Sequence, residues 1–241
     1  MSNSIVESEV EKLSKQALIE AANIALKYKF KKKKISFKSE SQPVTQADIE
    51  IDTFLKSYFK SKTPNYGWVS EESKDDGSRC NSDFFWCLDP IDGTRSFINN
   101  KPEYTISLAL IKKNIPILGL IINPETKEFF FAKKGSGSFC NKIKLNVGNK
   151  KKIKLCKYAI SNSEEKKLTS FNLLKENNVI KIGSIAYKIA LVAKGDFDVA
   201  LSFTKKNDWD VAAADLILHE AGGELRDLKG SKLVYNSKNL K

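Results

Sequence analysis

Histidine occurs once in the 241 residues, as His219, and methionine once. One imidazole leaves little material for a Ser-His-Asp or Cys-His hydrolytic site. The four cysteines, Cys80, Cys87, Cys140 and Cys156, form no C-x-x-C pair, which disfavours a Cys/His zinc site. They are expected as reduced thiols in core or surface positions. No uncharged apolar run approaches the roughly 20 residues of a membrane-spanning helix. The first residues, Met1 to Glu7, are polar and acidic where a signal peptide is basic and then apolar. No repeat of fixed period and no Gly/Ser- or Pro-rich linker divides the chain. A soluble, cytoplasmic protein with no membrane partner is expected.

What is present is a core and a strong positive charge. Hydrophobic residues make up 41%, enough to exclude a wholly disordered chain. Lys+Arg number 41 against 29 Asp+Glu, a formal net charge of +12. That excess suits a nucleic-acid binder or an anionic ligand. The lysines are spread along the chain, however, and only Lys31 to Lys34 is dense. This run reads as a solvated helix end, and without interleaved aromatics beyond Tyr28 and Phe30 it makes a poor base-stacking platform.

Periodicity divides the chain into an α+β first part, 1–150, and an α/β second part, 151–241. Val6, Val10, Leu13, Ala17, Ala21 and Ile24 mark an amphipathic first helix; Ile51, Leu55, Tyr58 and Phe59 mark a second, starting near Thr45 and ending before Pro64. Phe84 to Leu88 reads as a buried strand stopping at Asp89-Pro90, Tyr104–Ile111 and Ile115–Ile122 as a hairpin, and Phe129–Ala132 as a further strand, together an antiparallel sheet. Later come an apolar run to Ile160, a helix from Ser163 to about Asn177 and strands at Val179–Ile182 and Val199–Phe203. Helices follow from Ser184 to Gly195, a favourable cap and stop, and from Asp210 to Ala221.

The segment Asp89-Pro90-Ile91-Asp92-Gly93-Thr94 carries the most chemical information. Two carboxylates flanking a proline turn can aim, with the Ile91 carbonyl, at one spot, a hard-oxygen set suited to Mg²⁺. Gly93 would let the backbone approach an anion, and Thr94 offers a hydroxyl and an N–H at a helix start. Ordinary Asp-Pro and Asp-Gly turn chemistry explains the same residues equally well. Glu71 in Ser70-Glu71-Glu72-Ser73 could sit at a strand end, although paired glutamates are usually a solvated loop. Asp210 opens the late helix and Asp48 lies three residues after Thr45, positions that helix capping also accounts for.

Taken together, these segments resemble one family. Trp86-Cys87-Leu88-Asp89-Pro90-Ile91-Asp92-Gly93-Thr94 is similar to the inositol monophosphatase signature W-x-x-D-P-[IL]-D-G-T. Trp209-Asp210-Val211-Ala212-Ala213, running on to Glu220-Ala221-Gly222-Gly223, is similar to its second signature. Glu71-Glu72-Ser73 and Val44-Thr45-Gln46-Ala47-Asp48 match two supporting blocks in the same order. The resemblance implies a layered αβαβα sandwich and a magnesium-dependent phosphomonoesterase, a homodimer in the family pattern. By position, Glu71, Asp89 and the Ile91 carbonyl would hold one Mg²⁺; Asp89, Asp92 and Asp210 a second; Glu71 would assist a third. Two cations roughly 3.5–4 Å apart can clamp the attacking and leaving oxygens of an in-line displacement. Thr94 paired with Asp48 would orient and deprotonate the attacking water, and Glu71 would take part in catalysis. Gly93, Thr94, Asp92 and Asp210 would bind substrate.

Two departures bear on the substrate. Inositol-handling relatives carry a glutamate seven residues before the aspartate of the second signature, where this chain has Phe203, followed by Lys205 and Lys206. A lost acid and added base disfavour a neutral polyol and suit a second negative charge, although an exposed loop explains the two lysines as well. Arg95-Ser96-Phe97-Ile98 also resembles the bisphosphate-nucleotidase branch. The expected substrate is a small phosphorylated metabolite, 3'-phosphoadenosine 5'-phosphate ahead of inositol monophosphate. Histidinol phosphate, or a non-catalytic basic relative docking nucleic acid, stands as the alternative. The chain stops at Lys241 where family members continue with a further strand and helix; either the domain is naturally short or the sequence is truncated, and a shorter core would cost stability.

Overall fold

The computed structural model describes residues 3–31, 35–39, 42–150, 152–162, 164–165 and 178–237. In chain order the helices are α1 (Asn3–Lys29), α2 (Gln46–Lys62), α3 (Thr94–Ile98), α4 (Ile185–Lys194) and α5 (Asp208–Glu220). A two-stranded hairpin, β1 (Ile35–Ser39) and β2 (Gln42–Thr45), precedes α2. The main sheet has seven strands in sequence order: β3 (Gly67–Ser70), β4 (Phe84–Asp92), β5 (Thr105–Lys112), β6 (Ile115–Asn123), β7 (Glu128–Lys133), β8 (Ser138–Cys140) and β9 (Ile143–Lys144). A second sheet of three parallel strands orders β10 (Tyr158–Ile160) between β11 (Val179–Lys181) and β12 (Val199–Ala200).

Strand alternation builds the layers. Trp86 and Leu88 on β4, with Leu118, Leu120 and Ile122 on β6, pack against Ala17, Leu18, Ala21 and Ala25 of α1 and Ile51, Leu55 and Phe59 of α2. The intervening residues Phe85, Cys87 and Ile121 face Ala186, Ile189 and Ala190 of α4 and Ala212, Ala213 and Ile217 of α5. Ala159 joins that same cluster from the small sheet, while Tyr158 and Ile160 pack on its other side with Cys156. The described order is thus helix, sheet, helix, sheet, as the layered sandwich requires. Of the helix expected over 163–177, residues 164 and 165 are helical, and the remainder lies outside the described residues, as do Lys32 to Lys34. Among the described residues no helix is long and apolar enough to cross a membrane.

Three expectations change. Strand β4 does not stop at Asp89-Pro90 but runs to Asp92, and its pairing with β5 slips between Asp89 and Asp92. Three steps on β4 face two on β5, a bulge that absorbs the proline, whose missing N–H would otherwise break the ladder. The main sheet is mixed, not antiparallel, because β3 pairs with β4 in parallel. The strand expected over Val199–Phe203 contracts to Val199–Ala200, beyond which the chain turns toward α5. The hairpin β1–β2 and the short strands β8 and β9 carry no alternation long enough to read from sequence.

Candidate metal centre

Four acids reach one region from three stretches of chain. The β4 bulge presents Asp89 and Asp92, both buried. Glu71 follows the end of β3, and its backbone N–H donates to the Leu88 carbonyl at 3.2 Å, which ties it beside β4. Asp210 lies in the first turn of α5. One carboxylate oxygen from each of Glu71, Asp89 and Asp210 lies within 4.8 Å of the others. Asp48, in the first turn of α2, is close enough that Glu71 and Asp89 both feel its charge or impose their own on it.

Helix starts position the carboxylates. Asp48 accepts from the Thr45 amide at 2.8 Å and the Thr45 hydroxyl at 2.5 Å, the capping box of α2. Asp210 accepts from the Asn207 amide at 2.7 Å, the corresponding box of α5. The capping reading of both acids therefore holds, and it leaves each a second oxygen. Asp92 is held from further away: its Oδ2 accepts from the Ser184 hydroxyl at 2.5 Å and the Ala186 amide at 2.6 Å, at the start of α4. Ser184 also caps α4 by accepting from the Tyr187 amide at 2.9 Å. Thr94 donates to the Ile91 carbonyl at 3.0 Å, with Asp48 Oδ1 at 3.5 Å, the outer limit of a hydrogen bond. Gly93 precedes Thr94 at φ 92°, and a Cβ there would lie 2.9 Å from the Glu103 carbonyl oxygen, so only glycine fits this turn.

The electrostatics follow from burial and crowding. Burial, then the charges of Glu71, Asp92, Asp210 and Asp48, push the Asp89 carboxyl well above the ordinary carboxylate range. Burial and Asp92 raise Asp210 to about 7 against the pull of the Asn207 amide and the Lys206 ammonium. Asp48 is raised to about 6 by burial, opposed by its two Thr45 hydrogen bonds. Asp92 is raised by burial and held down by Ser184, Ala186 and Lys206. Acids so placed cannot all ionise without a compensating charge. The converging donors are hard oxygens, so the residues fit a hard divalent cation.

Three supports escaped the sequence reading. Ser184 was legible as a cap, but its bond to Asp92 spans 92 positions and leaves no local trace. Asp52, one turn after Asp48, accepts from the Ser73 hydroxyl and so anchors the Glu71-Glu72-Ser73 turn to α2. Lys188 on α4 pairs with Glu164 at 3.1 Å, each side chain 2% exposed, and donates to the Leu201 carbonyl at 3.2 Å. The tryptophans of the two motifs pack: Trp86 is buried and donates to the Thr63 hydroxyl at 3.0 Å, and Trp209 packs against the cluster around α4 and α5.

Comparison with known proteins finds relatives over most of the chain. The model of the inositol monophosphatase family matches residues 6–241. The chain is 28% identical to a 3'(2'),5'-bisphosphate nucleotidase CysQ of Haemophilus influenzae over 212 residues, 85% of this chain and 79% of that protein. It is 30% identical to an inositol-1-monophosphatase of Rhizobium meliloti over 213 residues, 81% of this chain and 76% of that one. The crystal structure of the extragenic suppressor protein suhB from Bartonella henselae superimposes with a TM-score of 0.85 at 26% identity, covering 92% of this chain and 88% of that chain.

Proposed function

The chain belongs to the inositol monophosphatase family and is a phosphatase of phosphate monoesters, and on that premise we propose that it dephosphorylates a 3'(2'),5'-bisphosphate nucleotide, such as 3'-phosphoadenosine 5'-phosphate, with magnesium. The observation that carries the reading is the convergence of Glu71, Asp89 and Asp210 within 4.8 Å from three distant stretches of chain. Glu71, Asp89 and the Ile91 carbonyl would hold one magnesium ion, and Asp89, Asp92 and Asp210 a second, with Glu71 assisting a third. Bound magnesium supplies Lewis-acid stabilisation of the phosphoryl oxygens and eases ionisation of water.

The chain's own groups do the rest. Asp48, with a carboxyl raised to about 6, is poised as a proton acceptor near neutral pH, and Thr94 lies between it and the Ile91 carbonyl. A hydroxyl so placed can accept from the attacking water and pass its proton toward Asp48. The Gly93 and Thr94 amides, at the open start of α3, would hold phosphate oxygens. Asp92 is fixed by α4, so its remaining oxygen keeps one direction through the reaction. By family likeness the enzyme would act in the cytoplasm as a homodimer. Phosphate release from 3'-phosphoadenosine 5'-phosphate, inositol monophosphate and histidinol phosphate, each with and without Mg²⁺, tests the reading. Magnesium-dependent release, fastest from the bisphosphate, is expected; preference for either other ester overturns the substrate, and no release from any of the three overturns the reaction.

A further inference from the structure

Strands β4 and β5 and the start of α4 meet at the hydroxyl of Ser184. It lies 2.5 Å from Asp92 Oδ2, at the end of β4, and accepts from the Tyr187 amide of α4 at 2.9 Å. Its third neighbour is the Thr105 hydroxyl at 3.2 Å, on the first residue of β5. The β4 bulge brings this about, because beyond it Asp92 stands in register opposite Thr105. Thr105 and Ser184 are both 0% exposed. The surroundings are closed as well. A Cβ on Gly183 would overlap Ser96 Oγ, and one on Gly93 would lie 3.2 Å from Ser184 Cβ. Hydrogen-bond capacity then gives the contact a direction. A serine hydroxyl carries one proton and two lone pairs. One lone pair takes the Tyr187 amide. A carboxylate that holds a cation is ionised and only accepts, so the serine proton goes to Asp92. The second lone pair is left for the Thr105 proton, and the chain runs from Thr105 through Ser184 to Asp92.

We propose that Ser184 and Thr105 are positioning residues that together aim Asp92 at the metal, the threonine acting only through the serine. The inference rests on the proposed function, in which Asp92 is a magnesium ligand. The Ser184 hydroxyl and the Ala186 amide both hold Oδ2, which leaves Oδ1 as the oxygen offered to a cation. Partners of this kind fix the direction of a ligating carboxylate and so contribute to metal affinity without touching the ion. Ser184 also caps α4, so its two tasks must be separated. Thr105 has no part in the cap, and its hydroxyl reaches the centre by way of Ser184.

Magnesium affinity measured by titration calorimetry tests the chain, with melting curves in chelator to separate lost binding from lost fold. Ser184→Ala and Ser184→Gly both remove the donor to Asp92, but glycine is tolerated at a helix N-cap where alanine is not. Both variants are expected to bind Mg²⁺ about tenfold more weakly, and to the same extent. Thr105→Val, which keeps the shape and removes the hydroxyl, should weaken binding by about three- to tenfold. Thr105→Ser keeps the hydroxyl and should restore affinity to within about twofold of the wild type. In a Ser184→Ala background, Thr105→Val should change affinity by less than about twofold, since the route to Asp92 is already cut. Wild-type affinity in Ser184→Gly beside a loss in Ser184→Ala would assign the effect to the cap and overturn the inference. An equal loss from Thr105→Val in both backgrounds, or no loss in any variant, would overturn it as well. If the wild type itself binds no Mg²⁺, the metal reading fails first and this inference falls with it.

Discussion

Removing one acid from the centre should stabilise the metal-free protein, and Asp210 gives the clearest measurement. Its carboxyl is raised from 3.8 to about 7 by burial and by Asp92. A folded-state value above the unfolded one means that folding binds a proton; the associated stability is fully present below pH 3.8 and is lost as pH rises through about 7. Above that value the native state bears a buried, crowded charge, and the loss reaches about 4 kcal/mol by pH 8. In Asp210→Asn the side-chain amide oxygen would accept from the same Asn207 amide without the charge, so the capping box survives. In chelator at pH 8, Asp210→Asn should therefore unfold at a temperature higher by about 10 °C, taking 2–4 °C per kcal/mol for a chain of this size. Linkage leaves under about 2 kcal/mol of that gap at pH 5, so the two melting curves should approach one another as pH falls. Adding Mg²⁺ should reverse the order, because the wild type gains ligand-binding stabilisation that the variant loses. Thermal unfolding followed by circular dichroism at pH 5 and pH 8, with chelator and with Mg²⁺, reads all four states. A variant less stable than the wild type in chelator at pH 8, or a gap independent of pH, would refute the electrostatic argument.

Asp92→Asn should reduce turnover by about two orders of magnitude or more while leaving the metal-free melting temperature unchanged or raised, since an amide oxygen can still accept from Ser184 and Ala186; steady-state kinetics beside a melting curve distinguish loss of function from loss of fold. Gly119→Ala should be destabilising by about 3 kcal/mol, because a Cβ there would lie 2.5 Å from the Ala213 backbone oxygen and neither β6 nor α5 can yield cheaply. The same change should raise the Mg²⁺ concentration needed for half-maximal activity, as α5 carries Asp210; denaturant unfolding and a metal titration check the two parts.

The parts of the centre that were legible in the sequence are those where local and global demands coincide. Asp48 and Asp210 stand at helix starts that would favour a carboxylate in any context, and they do cap α2 and α5. Asp89 and Asp92 follow a continuous apolar run, and the proline between them announces a break in regular pairing, although the break is a bulge within β4 and not its end. What was not legible depends on pairing across the chain. Four residues of β3 cannot declare whether they run parallel or antiparallel to β4, because that is set by the route of residues 71–83 and not by alternation. The bond from Ser184 to Asp92 is invisible for a similar reason: one serine satisfies the α4 cap and the metal-centre carboxylate together, and the first task alone is enough to explain it. The Lys188–Glu164 pair lay hidden because an isolated lysine on an apolar helix face reads as a solvent contact until its partner is known.

The charge of the chain and the charge of its centre are opposite in sign, and the two serve different steps. A formal +12 spread over the surface makes the whole molecule attractive to small anions, an effect that works over a Debye length and weakens with salt. The centre itself, with Asp48, Glu71, Asp89, Asp92 and Asp210 crowded together, repels those same anions until cations are in place. Raised carboxyls make metal-free acids partly protonated near neutral pH, so uptake of a divalent cation must release protons and must strengthen as pH rises through about 7. In the proposed reading the acids would exclude an anion until their charge is met, after which the basic surface would act with the cations instead of against the acids. In the proposed reading no histidine is needed, because the Asp48 carboxylate, its basicity raised by burial, would take the proton that an imidazole would otherwise accept.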